Sequence, residues 1–303
     1  MTRGKSASTI DLQGKVVEVT DNLCDYWPLT LRQIFYQLVA AGHIENNSNR
    51  YKALSVICSD MRKDGLLSWA AMEDRMRRVS GKRGWKNVEE FIASELNSFL
   101  RPEYYDRCLV QQVDQYAELW VEKDALSRIF EDVAYSYCVR VVTCRGQLST
   151  TFLNDYADRA TKAIAQGKRP VIVYGGVLDP SGWKIPVAAQ ETLFRDFGVD
   201  VEFDRFALNP DQVEKYRLPH NPDALKWSDA NAREYVRRYG EVAVELDALS
   251  PATLTAEIKT ALGRHLDAEA MDAEREIQER ERAAVKTVRR QVTGFLEGLG
   301  YAI

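Results

Sequence analysis

Four short apolar runs between residues 115 and 208, separated by segments with helical patterning, constrain this chain more than any other feature. The runs are AELWVEK, VRVVTC, RPVIVYGGVLD and VDVEFDRFAL; the intervening stretches are DALSRIFEDVAYSY, TFLNDYADRATKAIAQG and WKIPVAAQETLFRDFG. Strands that are nearly continuously apolar are buried on both faces. Strands alternating with helices require crossovers, so the pattern predicts an α/β fold with a mostly parallel sheet covered by helices. Ligands of such sheets gather at the carboxyl ends of the strands. Residues 210–240 read as loop-rich, AVELDAL (243–249) as one more strand, and 253–265 as a helix.

Upstream the rhythm is different. Residues 9–25 read as a first helix. A second runs through LTLRQIFYQLVAAG, with Thr30 as its N-cap and Leu31, Ile34, Phe35, Leu38 and Val39 on its apolar stripe. A third, RYKALSVICSDMRKDG, stops at a glycine before the short extended segment Leu66–Trp69. Three short helices and a β-like return make a winged-helix arrangement, whose third helix enters the DNA major groove. From Arg50 to Lys86 there are ten Lys or Arg against four Asp or Glu, a local basic face on a chain of net charge −4. Arg50, Lys52, Arg62 and Lys63 are the expected DNA contacts, joined by Lys82 and Arg83 in the loop SGKRGW. On charge alone, a solvated helix surface explains this face equally well.

At 303 residues the chain has room for more than one core. The expected division is a winged-helix DNA-binding domain over 1–100, an α/β domain over 101–265, and a long charged C-terminal helix over 266–303. That helix carries i,i+4 pairs such as Glu276–Arg280, but its apolar positions keep no strict heptad. The five cysteines are scattered, with no CxxC pair, so reduced thiols are expected rather than a disulfide frame or a zinc site. No apolar run approaches bilayer length and the N-terminus has no signal-peptide core, which excludes membrane partners and leads to the expectation of a cytoplasmic protein.

Two strand ends carry the chemistry. Glu122 closes the first apolar run, and Asp179 follows the third within Gly176-Val177-Leu178-Asp179-Pro180-Ser181-Gly182. Two carboxylates delivered by parallel strands to one sheet edge form a hard-oxygen pocket suited to Mg²⁺, which can polarise a phosphodiester. Either motif alone is equally readable as an ordinary turn.

In this order the two motifs resemble the Toprim signature, a Glu after the first strand followed by Gly-Asp-x-Asp-Pro-x-Gly, as found in the A subunit of topoisomerase VI and its prokaryotic and phage relatives. The segments at 205–222 and 244–249 are similar to parts of the same proteins. The likeness spans roughly residues 28–265. The family carries an upstream winged helix with an Arg-x-x-Tyr-Tyr-like element, for which LRQIFY (31–36) stands here. The resemblance implies a Toprim-type, Rossmann-like domain in which Tyr36 is the nucleophile that attacks DNA, Arg32 steadies the phosphate, and Glu122 and Asp179 hold Mg²⁺, with Glu122 also a candidate general acid/base. It further implies a homodimer. The chain has no Gly-x-x-x-x-Gly-Lys-Ser/Thr element, so strand passage would need a separate ATPase subunit.

One departure stands out. Val177 occupies the place of the first Asp of the Asp-x-Asp pair, which removes a ligand and a negative charge. Asp124, Glu245 and Asp247 are the acids able to compensate. Three readings follow: a Tyr36-dependent strand transesterase, a Toprim nuclease that uses metal-activated water, and a DNA-binding protein that has lost cleavage at Val177. A role in protein interaction is a fourth, minor one.

Overall fold

The computed structural model describes residues 7–73, 84–144, 146 and 148–300. In chain order the helices are α1 (Ala7–Asn22), α2 (Leu31–Ala40), α3 (Ser48–Lys63), α4 (Val88–Ser98), α5 (Ser127–Tyr135), α6 (Thr150–Ala165), α7 (Pro180–Phe197), α8 (Pro210–Tyr216), α9 (Ala232–Tyr239), α10 (Pro251–Gly263) and α11 (Ala268–Gly298). The strands are β1 (Gln115–Val121), β2 (Arg140–Thr143), β3 (Arg169–Gly175) and β4 (Glu202–Ala207). These elements form two compact units: residues 1–75 with 114–265, and residues 76–113 with 266–303. No described helix is long and apolar enough to cross a membrane.

The first unit is built on a four-stranded, wholly parallel sheet of order β2-β1-β3-β4. From β1 the chain winds outward to β2, and from β3 it winds the other way to β4. The direction therefore reverses between β1 and β3, and the crevice at their carboxyl ends is where such sheets take ligands. Alternation along the strands sorts the core. Trp120, Ile172 and Tyr174 pack under α6 and α7 with Tyr156, Ala160, Ala189 and Leu193. Trp120 meets Phe152, Tyr156 and Phe203 edge-on at 5.1, 5.2 and 5.9 Å, the geometry ring quadrupoles favour. On the opposite face, Gly175 approaches Phe130 of α5 so closely that a Cβ would lie 2.8 Å from its ring.

One charge lies inside this apolar sheet. Glu118 of β1 is fully buried and receives two hydrogen bonds from Arg159 of α6, at 2.7 and 3.0 Å, and one from the Trp120 indole at 3.1 Å. Burial of a carboxylate is tolerable when it is paired and hydrogen-bonded in this way.

The three N-terminal helices belong to the same unit. Thr30 and Gln33 form a reciprocal capping box at the start of α2: the Gln33 N–H donates to Thr30 Oγ1 at 3.2 Å and the Thr30 N–H to Gln33 Oε1 at 2.7 Å. Asn47 caps α3 through the Arg50 N–H at 2.9 Å. Asp179 caps α7, and Pro180 sits at its first position, where the missing N–H is harmless.

Two sequence expectations change. Residues 243–249 are not a strand: Val244 makes an isolated antiparallel bridge to Leu178, and Leu246–Ala248 is a 3-10 turn. Residues 210–240 contain α8 and α9.

In the second unit, Arg107 ties the segment before β1 to α11. Its guanidinium pairs with Glu274 and reaches both oxygens of Glu281 at 3.0 and 2.9 Å. The expected long C-terminal helix is α11.

Candidate functional site

The β1–β3 pairing sets the acid edge. Val121 pairs with Gly175, and the Glu122 N–H donates to the Gly175 carbonyl at 3.0 Å, so Glu122 and the 176–179 turn leave the sheet at the same level. Glu122 Oε2 accepts the Val177 N–H at 2.8 Å and the Tyr174 hydroxyl at 3.2 Å. Asp179 Oδ1 accepts the Gly182 N–H at 2.6 Å. Arg205 of β4 locks the turn, donating to the Val177 and Gly182 carbonyls at 2.6 and 2.8 Å.

Gly182 is where the two acids meet. A Cβ there would lie 2.9 Å from Glu122 Oε2, 3.2 Å from Asp179 Oδ1 and 2.5 Å from the Val177 carbonyl. Backbone and both carboxylates crowd this position, which is why it is glycine. Burial raises the pKa of each, and Asp179 adds to the rise at Glu122; their backbone N–H donors oppose it.

A second cluster adjoins this pair. The Leu178–Val244 bridge, with N–H···O distances of 3.0 Å in both directions, lays 244–247 beside the turn. Glu245 and Asp247 there are held by two cations. Lys123 Nζ bonds Glu245 and lies 2.9 Å from Asp247 Oδ2. Arg32, from α2, reaches Glu245 Oε1 at 2.7 Å and Asp247 Oδ2 at 3.2 Å. Asn221 adds a 3.3 Å hydrogen bond to Glu245. Asp247 is fully buried, and its Oδ1 has no hydrogen-bond partner.

Tyr36 sits one turn after Arg32, with its ring centroid 5.8 Å from the guanidinium carbon. Only 3% of the residue is exposed. Burial, then the negative charge of Glu245, push its hydroxyl pKa well above the usual phenol value, against the pull of Arg32. Tyr36, Arg32, Tyr51, Asn47 and Asn221 all line a cavity of about 220 Å³. Tyr36 is therefore both part of the apolar stripe and a wall of a polar cavity. The charge of Glu245 acts on Tyr36 and on Asp179 alike, which links the two clusters.

A divalent cation can be tested against this donor set. Among the described residues no group of three or more His, Cys, Asp or Glu is placed to hold a metal ion. Val177 supplies only its backbone, and Glu245 and Asp247 are committed to Lys123 and Arg32. Asp124 opens a 3-10 turn before α5. What remains is the Glu122–Asp179 pair, whose carboxylates both lie against Gly182. Two carboxylates completed by substrate phosphate and water suit Mg²⁺, which seldom sits in an all-protein cage.

The basic residues divide by role. Arg50, Lys52 and Lys63 of α3 are exposed. Arg62 stacks on Trp69, with its guanidinium carbon 4.3 Å from the ring, and donates to the carbonyls of Trp69 and Met72 at 3.5 and 3.4 Å. Lys82 and Arg83 lie outside the described residues. Sequence reasoning missed Lys123 and Arg205. Lys123 is legible as the cation directly after Glu122; Arg205 opens the 205–222 segment that resembles the family, but nothing in that segment marks it as a partner of the 176–182 turn.

Comparison with protein-family models and with curated proteins found no match to this chain.

Proposed function

We propose that this protein binds DNA and cleaves a strand by attack of the Tyr36 hydroxyl oxygen on a backbone phosphodiester. The observation that carries this reading is the meeting of α2 with the carboxyl edge of the sheet. Arg32 and Tyr36 stand beside Glu245, whose charge also reaches Asp179. In this reading the N-terminal helices act as a winged-helix module, with Arg50, Lys52 and Lys63 on DNA phosphates, and the parallel sheet is a Toprim-type domain.

The step forms a Tyr36 O–P bond and breaks the bond from phosphorus to one deoxyribose oxygen. The phenolic proton passes to a base, and the departing oxygen takes up a proton. The phosphotyrosyl link conserves the ester for religation. A phenol is neutral at physiological pH and burial raises its pKa further, so proton removal accompanies attack. Arg32 holds the phosphate beside the ring. Glu122 and Asp179 would hold Mg²⁺, which when bound polarises the phosphoryl oxygens. A double-strand break needs two copies of Tyr36, hence a homodimer, and strand passage a separate ATPase subunit.

A second reading has its own support. Val177 adds no carboxylate to the Glu122–Asp179 pair, and Lys123 and Arg32 already neutralise the neighbouring acids. This favours a DNA-binding protein that does not cleave.

Labelled supercoiled DNA incubated with Mg²⁺ or Mn²⁺ and then denatured separates the two. Covalently attached DNA that disappears in Tyr36→Phe supports cleavage by Tyr36. Nicking that survives Tyr36→Phe but fails in Glu122→Ala points to metal-activated water instead. Salt-sensitive binding without cleavage, with cleavage appearing only in Val177→Asp, supports the second reading.

A further inference from the structure

The second unit contains an open groove of about 920 Å³ between the segment after α4 and the middle of α11. Four cations line it, Arg101, Arg282, Lys286 and Arg289, against two acids, Glu103 and Glu279. Arg282 is offset locally, pairing with Glu279 at 2.7 Å and Asp106 at 3.1 Å.

The others are placed differently. Arg101 donates to the Asn97 carbonyl at 2.5 Å, and Arg289 reaches the same oxygen at 3.4 Å. Two guanidiniums thus converge on one neutral acceptor, which orients them without cancelling their charge. Lys286 is exposed one turn before Arg289. Like charges gathered this closely repel unless an anion joins them. Arg282, Lys286 and Arg289 follow i, i+4, i+7 spacing, a row roughly 10 Å long on one helix face.

Tyr104 distinguishes among polyanions. It lines the groove with 69% of its surface exposed, and the Arg101 guanidinium carbon lies 5.7 Å from its ring centroid. An exposed aromatic beside a basic row is the arrangement that stacks a base while cations hold the backbone; an acidic peptide has no use for the ring.

We propose that this groove is a nucleic-acid site: Arg101, Lys286 and Arg289 hold backbone phosphates and Tyr104 stacks on a base. The inference rests on the DNA-binding part of the proposed function and is independent of Tyr36 and of the acid edge.

The test is fluorescence anisotropy of the full chain with labelled single-stranded and duplex oligonucleotides across a salt series, with polyglutamate as competitor. Arg101→Glu/Lys286→Glu/Arg289→Glu is expected to weaken single-strand binding at least tenfold and to flatten the salt slope by about two to three. Arg101→Lys/Arg289→Lys is expected to retain binding, and Tyr104→Ala to weaken single-strand binding more than duplex binding. Circular dichroism checks folding. If the triple variant is misfolded, the exposed single change Lys286→Glu carries the test, with a slope change of about one. If the wild type binds no DNA, this inference and the proposed function fail together. If it binds but loses binding only in Arg50→Glu/Lys52→Glu, this inference alone is overturned. Competition by polyglutamate as effective as by the oligonucleotide also overturns it.

Discussion

Arg32 and Glu245, far apart in the chain, lie 2.7 Å apart, and this contact brings the Tyr36 helix to the carboxyl edge of the sheet. The same carboxylate also bonds Lys123, directly after Glu122. The nucleophile candidate and the acid pair are thus held by one cluster in which Arg32 and Lys123 offset Glu245 and Asp247.

Removing a cation from that cluster leaves buried negative charge. Lys123→Met is expected to destabilise the protein by about 3–5 kcal/mol, the cost of breaking a buried ion pair from one side. Asp247 is fully buried and Lys123 is one of its two cations. Chemical denaturation measures the loss. A change under about 1 kcal/mol would show the cluster to be solvated.

Glu122 is destabilising where it is ionised, because burial raises its pKa in the fold above the ordinary carboxylate value of about 4.5. Between the unfolded and folded pKa values the folded state binds more protons, so stability falls as pH rises through that window. Glu122→Gln is expected to unfold at a higher temperature than wild type at pH 7. The gap should close as pH falls below about 4.5. Thermal melts from pH 3.5 to 8 read this; a gap that widens on acidification contradicts it.

Val177 is 2% exposed, and its N–H already serves Glu122. In Val177→Asp a third carboxylate joins two buried ones, so the metal-free melting temperature should fall. Mn²⁺ at millimolar concentration should restore it, while wild type responds less. Scanning calorimetry with and without Mn²⁺ decides. Equal responses would show that position 177 does not face the acid pair.

Glu118 is a structural charge. Glu118→Ala strands Arg159, and the expected loss is about 3–5 kcal/mol, with DNA binding unchanged at temperatures where the variant is folded. Paired urea titrations and binding isotherms test both halves.

Much of this arrangement is legible locally. The apolar runs ending in Glu122 and Asp179 announce buried parallel strands and the edge they share. Thr30 and Gln33 announce the start of α2, which puts Arg32 and Tyr36 a turn apart. What is not legible depends on partners from elsewhere in the chain. VELDAL reads as a strand by its alternation, but only Val244 bridges Leu178, and Glu245 and Asp247 turn instead to Lys123 and Arg32. Glu118 in an apolar strand makes sense only with Arg159 from α6, and the grouping of 76–113 with 266–303 rests on pairs such as Arg107–Glu281. No pattern in one segment encodes such pairs.

The most direct test of the account is to trap any protein–DNA adduct formed with Mg²⁺ or Mn²⁺, digest it with nuclease and protease, and locate the nucleotide by mass spectrometry. The expected result is a nucleotide phosphate on Tyr36, in the peptide spanning Leu31–Ala40, absent from Tyr36→Phe. An adduct on another residue, or none in both wild type and Val177→Asp while DNA is bound, would contradict it.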